Sequence, residues 1–558
     1  MVTSVVELVG SLKSSTLRRQ ELAAEAASRL VISLLPIMQV AVMSRGEWQD
    51  AWAAYLRTGQ TLIGKQISPD LLAIMATFDK EGLAERESQD IVSALKAVLP
   101  SWLDLVDEKS EDLVEIIPRA ALTYLILSRP KDRAAQVEEW TDLVRVHSSK
   151  LHDATGYFHA VTLAYPICSA TGMEGISAAN MICEALLQRW ATEKDLEMKA
   201  SLLSSLTQSN ILRKEPRRFL GVLMEGLNDY TTTSRGDIGA YLRGASLKAA
   251  RAMWQSIGDP APSDDQEWLQ RTVSALFLSV LRLASEKLDK VRGEAQKTLS
   301  LLVHPDFAPS FLQPSPSSAK YLGTLLRMLE VDCLLPLVSG VVKADRSAWM
   351  QELLAGYVTS ADSGNENLVI TSREMLCEFC EESQEKLEAV CAALTQNLRD
   401  RIGQDRLLIP TLEIISFLLN VGLMQQSTEV DARTLTLLTQ KASYKSSNVR
   451  KLETCIKVYG GVARLTGGEA QVRMRRLEEG AAESKKRLGA LLYHPWPRVR
   501  TYVIDELWSI LEDEGMETGQ GSKLKGIDWG RRRRKLSRLW FTSWGLPKGE
   551  TEAPGPYR

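Results

Sequence analysis

Apolar residues recur at helical spacing in nearly every stretch between breakers, and no sustained period-2 alternation bounded by hairpin turns is present. That pattern allows helices and excludes a sheet-built core. Val273, Leu276, Phe277, Val280, Leu281, Ala284 and Leu288 fall on one helical face. Asp289 then stands where an N-cap belongs, and a second stripe runs through Val291, Ala295, Leu299 and Leu302. Near the C-terminus Leu488, Leu491 and Leu492 lead into His494-Pro495-Trp496-Pro497, and Val499, Val503, Leu507, Ile510 and Leu511 form the next stripe. The prolines stop one helix and start another.

At 558 residues the chain is too long for one core, and its 6% aromatic content is low for a sandwich or barrel. Asp289-Lys290-Val291-Arg292, Asn448-Val449-Arg450 and Pro497-Arg498-Val499-Arg500 recur at second-helix starts, which resembles HEAT-type repeats. The expected fold is all-α, an α-solenoid of HEAT/armadillo-like helical repeats, with a set of ordinary helical domains as the alternative. Polar joints are expected at 259–265, from Pro309 to Ser318 and from Ser360 to Asn367. The organisation reads as helical repeats over 1–228, a further block of repeats over 229–514, and a basic tail over 515–558.

Lys and Arg number 68 against 70 Asp and Glu, so a nucleic-acid grip along the whole length is excluded and charge must act locally. From Gly515 to Arg558 there are 10 Lys and Arg and 4 Asp and Glu, a surplus of +6, which leaves the remainder at -8. Arg531, Arg532, Arg533, Arg534 and Lys535, with Trp529, Trp540 and Trp544 around them, could meet phosphate, an anionic membrane, a nuclear-import receptor or an acidic partner, or simply be solvated. The N-terminus lacks a basic n-region, and the longest apolar run, Leu30 to Met43, is broken and too short to cross a bilayer.

Chemical motifs are incomplete. Gly59-Gln60-Thr61-Leu62-Ile63-Gly64-Lys65-Gln66 approaches a phosphate-binding loop, but Gln66 stands where magnesium needs a hydroxyl, and helix rather than strand precedes it. Cys377, Cys380 and Cys391 supply three thiols with no His nearby in sequence, and all seven cysteines read as reduced core residues. Five histidines form no metal pair or triad order, and His152 and His159 read as helix-surface residues. Arg235-Gly236-Asp237 reads as a joint, with Gly236 relaxing the turn and Asp237 capping the next helix, and Leu242 is placed on an apolar stripe with Ile238, Tyr241 and Ala245. No catalytic residue, metal ligand or cofactor is assigned.

The stretch from Asp229 through Tyr230, Arg235, Asp237 and Tyr241 to Arg243 resembles the signature of tubulin-folding cofactor D, a large HEAT-repeat chaperone. Leu288-Asp289-Lys290-Val291-Arg292 and Leu491-Leu492-Tyr493-His494-Pro495-Trp496-Pro497-Arg498-Val499-Arg500 follow in that family's order. The resemblance covers the C-terminal 330 residues or so, and the greater length of that family implies that Met1 opens either a fragment or a split gene model. It implies a cytosolic, microtubule-associated chaperone that receives β-tubulin, joins cofactor E and α-tubulin, cooperates with cofactor C in stimulating GTP hydrolysis by tubulin, and meets an Arf-like small GTPase. It marks Arg235, Asp237, Tyr241, Arg243, Arg498 and Arg500 as signature or partner-contact positions, and the basic run adds Arg531, Arg532, Arg533 and Arg534 as candidate partner contacts. A transport or assembly scaffold, or a nucleotide enzyme built on Gly59 to Gln66, are the other classes.

Overall fold

The computed structural model describes residues 16–33, 89–145, 154–170, 172–234, 236–255, 276–335, 345–362, 364–428, 430–465 and 471–513, with 4, 6, 7 and 10 singly. The chain divides into two units, Met1–Gln266 and Glu267–Arg558. Among the described residues the only paired strands are a two-residue hairpin and one isolated bridge, so the all-α expectation holds.

The first unit comprises α1 (Leu17–Ile32), α2 (Gln89–Leu103), α3 (Glu111–Leu127), α4 (Pro130–Arg145), α5 (Thr155–Ala170), α6 (Gly172–Thr192), α7 (Leu196–Gln208), the single turn α8 (Ile211–Lys214), α9 (Pro216–Leu227), the hairpin β1 (Thr232–Thr233) and β2 (Gly236–Asp237), and α10 (Gly239–Gln255). Helices α1, α3, α5, α7 and α10 pack in succession as one layer, and α4, α6 and α9 form the second. Helix α3 is apolar over most of its circumference. In α3, Ile116, Ile117, Ala120, Tyr124 and Leu127 are all buried, as expected for a helix covered by neighbours on several sides.

The second unit opens with a helix over 276–284, then α11 (Asp289–Leu299), α12 (Ala308–Leu312), α13 (Ala319–Arg327), α14 (Arg346–Asp362), α15 (Glu366–Glu381), α16 (Gln384–Asp400), α17 (Asp405–Val421), the turn α18 (Leu423–Gln426), α19 (Ala432–Ser443), α20 (Val449–Ala463), α21 (Gln471–Leu491) and α22 (Pro497–Asp513). Helices α14, α17, α20 and α22 stack as one layer, with α13, α15, α16, α19 and α21 along the other. Such stacking buries each repeat's apolar face only against its neighbours, as a helical-repeat array requires.

Bonds between repeats fix the register. Thr436 and Ser484 hydroxyls meet at 2.7 Å across α19 and α21, 48 residues apart. Gly480 lies where a side chain would strike Ala432, at the same spacing, so these two helices run parallel with a constant offset. Gly461 lets α20 approach Leu419 of α17 in the same manner.

Several local expectations shift. Asp289 is the first helical residue and not the cap: Leu288 takes that place without a side-chain bond, and Asp289 pairs with Arg292. The joint placed at Ser360 to Asn367 narrows to between Asp362 and Glu366, because α14 continues through the buried Ser360 to Asp362 and Asn365 caps α15 by accepting from Asn367 N. The stretch from Pro309 to Ser318 contains most of α12 before its turn. The joint at 259–265, the phosphate-loop-like segment and the tail beyond 513 lie outside the described residues.

Candidate functional site

The stretch from Asp229 to Arg243 folds into a closed knot that ties α9 to α10. Asp229 Oδ1 accepts from Thr231 N at 2.9 Å, an Asx-turn that starts the reversal, and Thr231 O accepts from Gly239 N at 2.9 Å to close it. Thr232 and Thr233 pair antiparallel with Asp237 and Gly236. Gly236 has φ +113°, a conformation side-chain-bearing residues rarely adopt. Gly239 sits so close to Asp229 that a Cβ would lie 2.6 Å from its carbonyl oxygen. Asp237 Oδ1 accepts from Ala240 N at 3.2 Å, the capping role its position suggested.

Arg243 holds this knot together. It is fully buried, donates to Asp229 O at 2.7 Å and to Asp237 Oδ2 at 2.9 Å, and lies over the Tyr230 ring at 4.5 Å. The helix register differs from the expected stripe: Leu242, Ser246, Leu247 and Ala250 are buried, whereas Ile238 and Tyr241 are exposed at 36% and 55%. Arg235 lies outside the described residues.

Arg243 is one case of a device repeated through both units, in which an arginine early in a helix donates to backbone carbonyls of the joint before it or of a neighbouring joint. Arg133 of α4 donates to Leu125 O and Ser128 O at 2.8 and 3.1 Å. Arg292 of α11 donates to Pro316 O and Glu286 O at 2.9 and 2.7 Å. Arg500 of α22 donates to His494 O and Pro495 O at 2.7 and 3.0 Å. The buried guanidinium satisfies carbonyls that a helix end leaves open, so the Val-Arg strings at 291–292 and 499–500 encode joints, whereas Arg450 of the third string is exposed and pairs with Asp362. Arg498 differs: it is exposed, and its Nε donates to Tyr502 Oη at 2.9 Å.

Tyr241 borders a groove of about 780 Å³ across α3, α5, α7, α8 and α10, where Glu108, Glu111, Glu115, Arg119 and Lys248 also line the wall. Burial, then the charges of Glu108, Glu197 and Asp107, push the Tyr241 phenol above its ordinary range, so it stays a neutral donor. Beneath the rim, His159 is completely buried, with Nε2 3.0 Å from Glu108 Oε1, and so is not the helix-surface residue the sequence suggested. The groove offers alternating charge and hydroxyls without a nucleophile, base and orienting group in series, an arrangement suited to holding a polar surface.

Residues 274–451 match the family model described as Tubulin folding cofactor D C terminal. This segment is therefore similar to the C-terminal region of tubulin folding cofactor D. The match begins beyond the Asp229 to Arg243 knot and takes in the Arg292 and Asn448 to Arg450 joints. A solved structure titled "Crystal structure of Uso1-2" aligns over 98% of this chain and 96% of its own at 12% identity with a TM-score of 0.24, too loose a likeness to carry an argument.

Within the matched segment, Cys380 and Cys391 are buried and Cys377 is half-buried. Burial pushes Cys391 up to about 12 and raises Cys380 and Cys377 as well, so these are thiols held as core groups. Among the described residues no group of three His, Cys, Asp or Glu is placed to hold a metal ion. Also among them, no helix is long and apolar enough to cross a membrane. Arg531, Arg532, Arg533 and Arg534 lie outside the described residues.

Two features of the surface escaped sequence reasoning. The groove is assembled from α3, α5, α7, α8 and α10, and no local pattern announces it. The second is a basic edge in the second unit, whose signal is a long absence of acidic residues.

Proposed function

We propose that this chain acts as a tubulin folding cofactor D-like chaperone, binding β-tubulin after its release from the cytosolic chaperonin and supporting heterodimer assembly. The observation that carries the reading is the cofactor D C-terminal match over residues 274–451, set in a two-layered helical array. An array of this kind holds a client through many modest contacts and needs no catalytic constellation. Cofactor E and α-tubulin join the assembly, cofactor C cooperates in stimulating GTP hydrolysis on tubulin, an Arf-like small GTPase regulates it, and the site of action is the microtubule cytoskeleton in the cytoplasm.

In this reading Arg243 and Arg500 shape joints and Asp237 caps a helix, while Tyr241 and Arg498 are the signature side chains left open to a partner. The test is capture of purified β-tubulin and cofactor E by the full chain, with Tyr241→Ala and Arg498→Ala beside it. Retention by the wild type and weakening by either variant support the reading. Failure to retain either partner at any salt concentration overturns it and favours a scaffold unrelated to tubulin.

A further inference from the structure

Residues 432–452 contain Arg433, Lys441, Lys445, Arg450 and Lys451 and no Asp or Glu, and residues 484–504 contain Lys485, Lys486, Arg487, Arg498 and Arg500 and again no acid. In a chain whose basic and acidic totals nearly cancel, two such runs are a local departure. The fold brings them together. Helices α19 and α21 lie parallel, with Thr436 bonded to Ser484 and Gly480 against Ala432, so continuing that offset puts the joint after α19 beside the joint after α21.

The neighbouring acids are already matched. Asp362 accepts from Arg450 at 2.6 Å, Asp405 from Lys451 at 2.7 Å and Glu453 from Lys457 at 3.2 Å. Glu479 pairs with Arg433 and Glu483 with Arg487. Arg500 is turned onto its own joint carbonyls. Lys441, Lys445, Lys486 and Arg498 are exposed, and among the described residues no acid is bonded to them. Aromatic rings interleave with these charges: Tyr444 is 70% exposed with Lys445 Nζ 5.5 Å from its ring centre, and Tyr493 is 42% exposed. Lys445 adopts φ +51°, a left-handed backbone that a lysine seldom takes, at the tip of the first joint.

We propose that this edge, formed by the 444–448 and 492–496 joints, docks an extended acidic peptide segment of a partner protein. Uncompensated cations attract the carboxylates, and the exposed tyrosines supply flat apolar contacts between them. An acidic peptide fits better than nucleic acid, because the cations are few and confined to one edge whereas a phosphate backbone calls for a continuous basic track. The inference stands apart from the identity of the folding client and is tested without tubulin.

The probe is a fluorescein-labelled twelve-residue peptide of Glu and Gly, titrated into the full chain and followed by anisotropy at low and at physiological salt. A single-stranded oligonucleotide of equal charge serves as the second arm. The expected result is saturable peptide binding that fades with salt and falls about tenfold in Lys445→Glu/Arg498→Glu, a loss of about 1.4 kcal/mol. The exchange Lys445→Arg/Arg498→Lys should preserve it, as should neutralising Arg531, Arg532, Arg533 and Arg534 to Gln. Circular dichroism checks that each variant keeps its helices. Absence of peptide binding, unchanged affinity in the double reversal, complete loss on neutralising the 531–534 run, or tighter binding of the oligonucleotide at this edge overturns the proposal.

Discussion

Arg243 grips Asp237 through both terminal guanidinium nitrogens, at 3.3 Å to Oδ1 and 2.9 Å to Oδ2, while Asp237 also caps the helix that carries Arg243. One carboxylate therefore ends the hairpin, starts the helix and neutralises a fully buried cation. Arg243→Ala would remove the guanidinium shared by Asp237 and the Asp229 carbonyl, leaving Asp237 its helix-capping bond from Ala240 N. It should destabilise the first unit by about 2–4 kcal/mol. Arg243→Lys should recover only part of this, because an ammonium lacks the fork that spans Asp229 O and Asp237. Chemical denaturation followed by circular dichroism measures both.

Gly356 of α14 lies where a Cβ would come within 1.9 Å of Arg282 O, beside the Ser285 hydroxyl, and Ser360 one turn later donates to Ser285 O at 2.7 Å. The seam depends on backbone contact. Gly356→Ala should force the two helices apart and cost about 1–3 kcal/mol. Gly221 of α9 has open space around its Cβ position, so Gly221→Ala should stabilise the chain by about 0.5–1 kcal/mol through helix propensity. Opposite signs in paired melting curves are the expected outcome.

His494 sits in the 492–496 joint, its Nδ1 accepting from Trp496 N at 3.2 Å and its ring edge-on to Trp496. Burial, then the Arg500 charge, holds the imidazole below its ordinary value, so the folded joint favours the neutral form. The unfolded chain takes up the proton first as pH falls. The stabilising contribution is thus fully present above the ordinary histidine range and is lost as pH drops through the lowered folded value. Amide exchange at Trp496, corrected for the intrinsic rate, should accelerate between roughly pH 7 and pH 5. In His494→Gln that extra acceleration should vanish.

Cys377 is the half-buried thiol among seven, the others being enclosed, with burial pushing Cys168 and Cys183 up to about 11 and Cys455 up to about 12. Alkylation of the native protein followed by mass spectrometry should label Cys377 first. The remaining cysteines should react together once denaturant opens the helical array, because buried neutral thiols are poor nucleophiles. Early labelling of Cys380 or Cys391 would mean that the seam between α15 and α16 opens locally.

The helical class, the stripes over 276–284 and 499–510, the proline-started α22, the Asn448 cap and the buried character of most cysteines were legible in the sequence. Each depends on residues within a few turns of one another, where periodicity and capping chemistry act. Arg243 and Arg500 were legible as notable residues and not as joint clamps, because the carbonyls they satisfy gain meaning only when a joint folds back on its helix. The Tyr241 register was misread for the related reason that Arg243, a charged residue, occupies the buried face once Asp229 and Asp237 surround it.

By itself the sequence determined that this protein is built of helices joined at capped, proline-marked turns, since those choices follow from local propensity and the burial of one stripe per helix. Only the tertiary structure decided which joints lie side by side. Stacking α19 on α21 sets two acid-free runs next to each other, and Coulomb interactions depend on distance in space and not on distance along the chain. A nearly neutral composition thereby yields a basic, tyrosine-bearing edge that no sum over residues reveals.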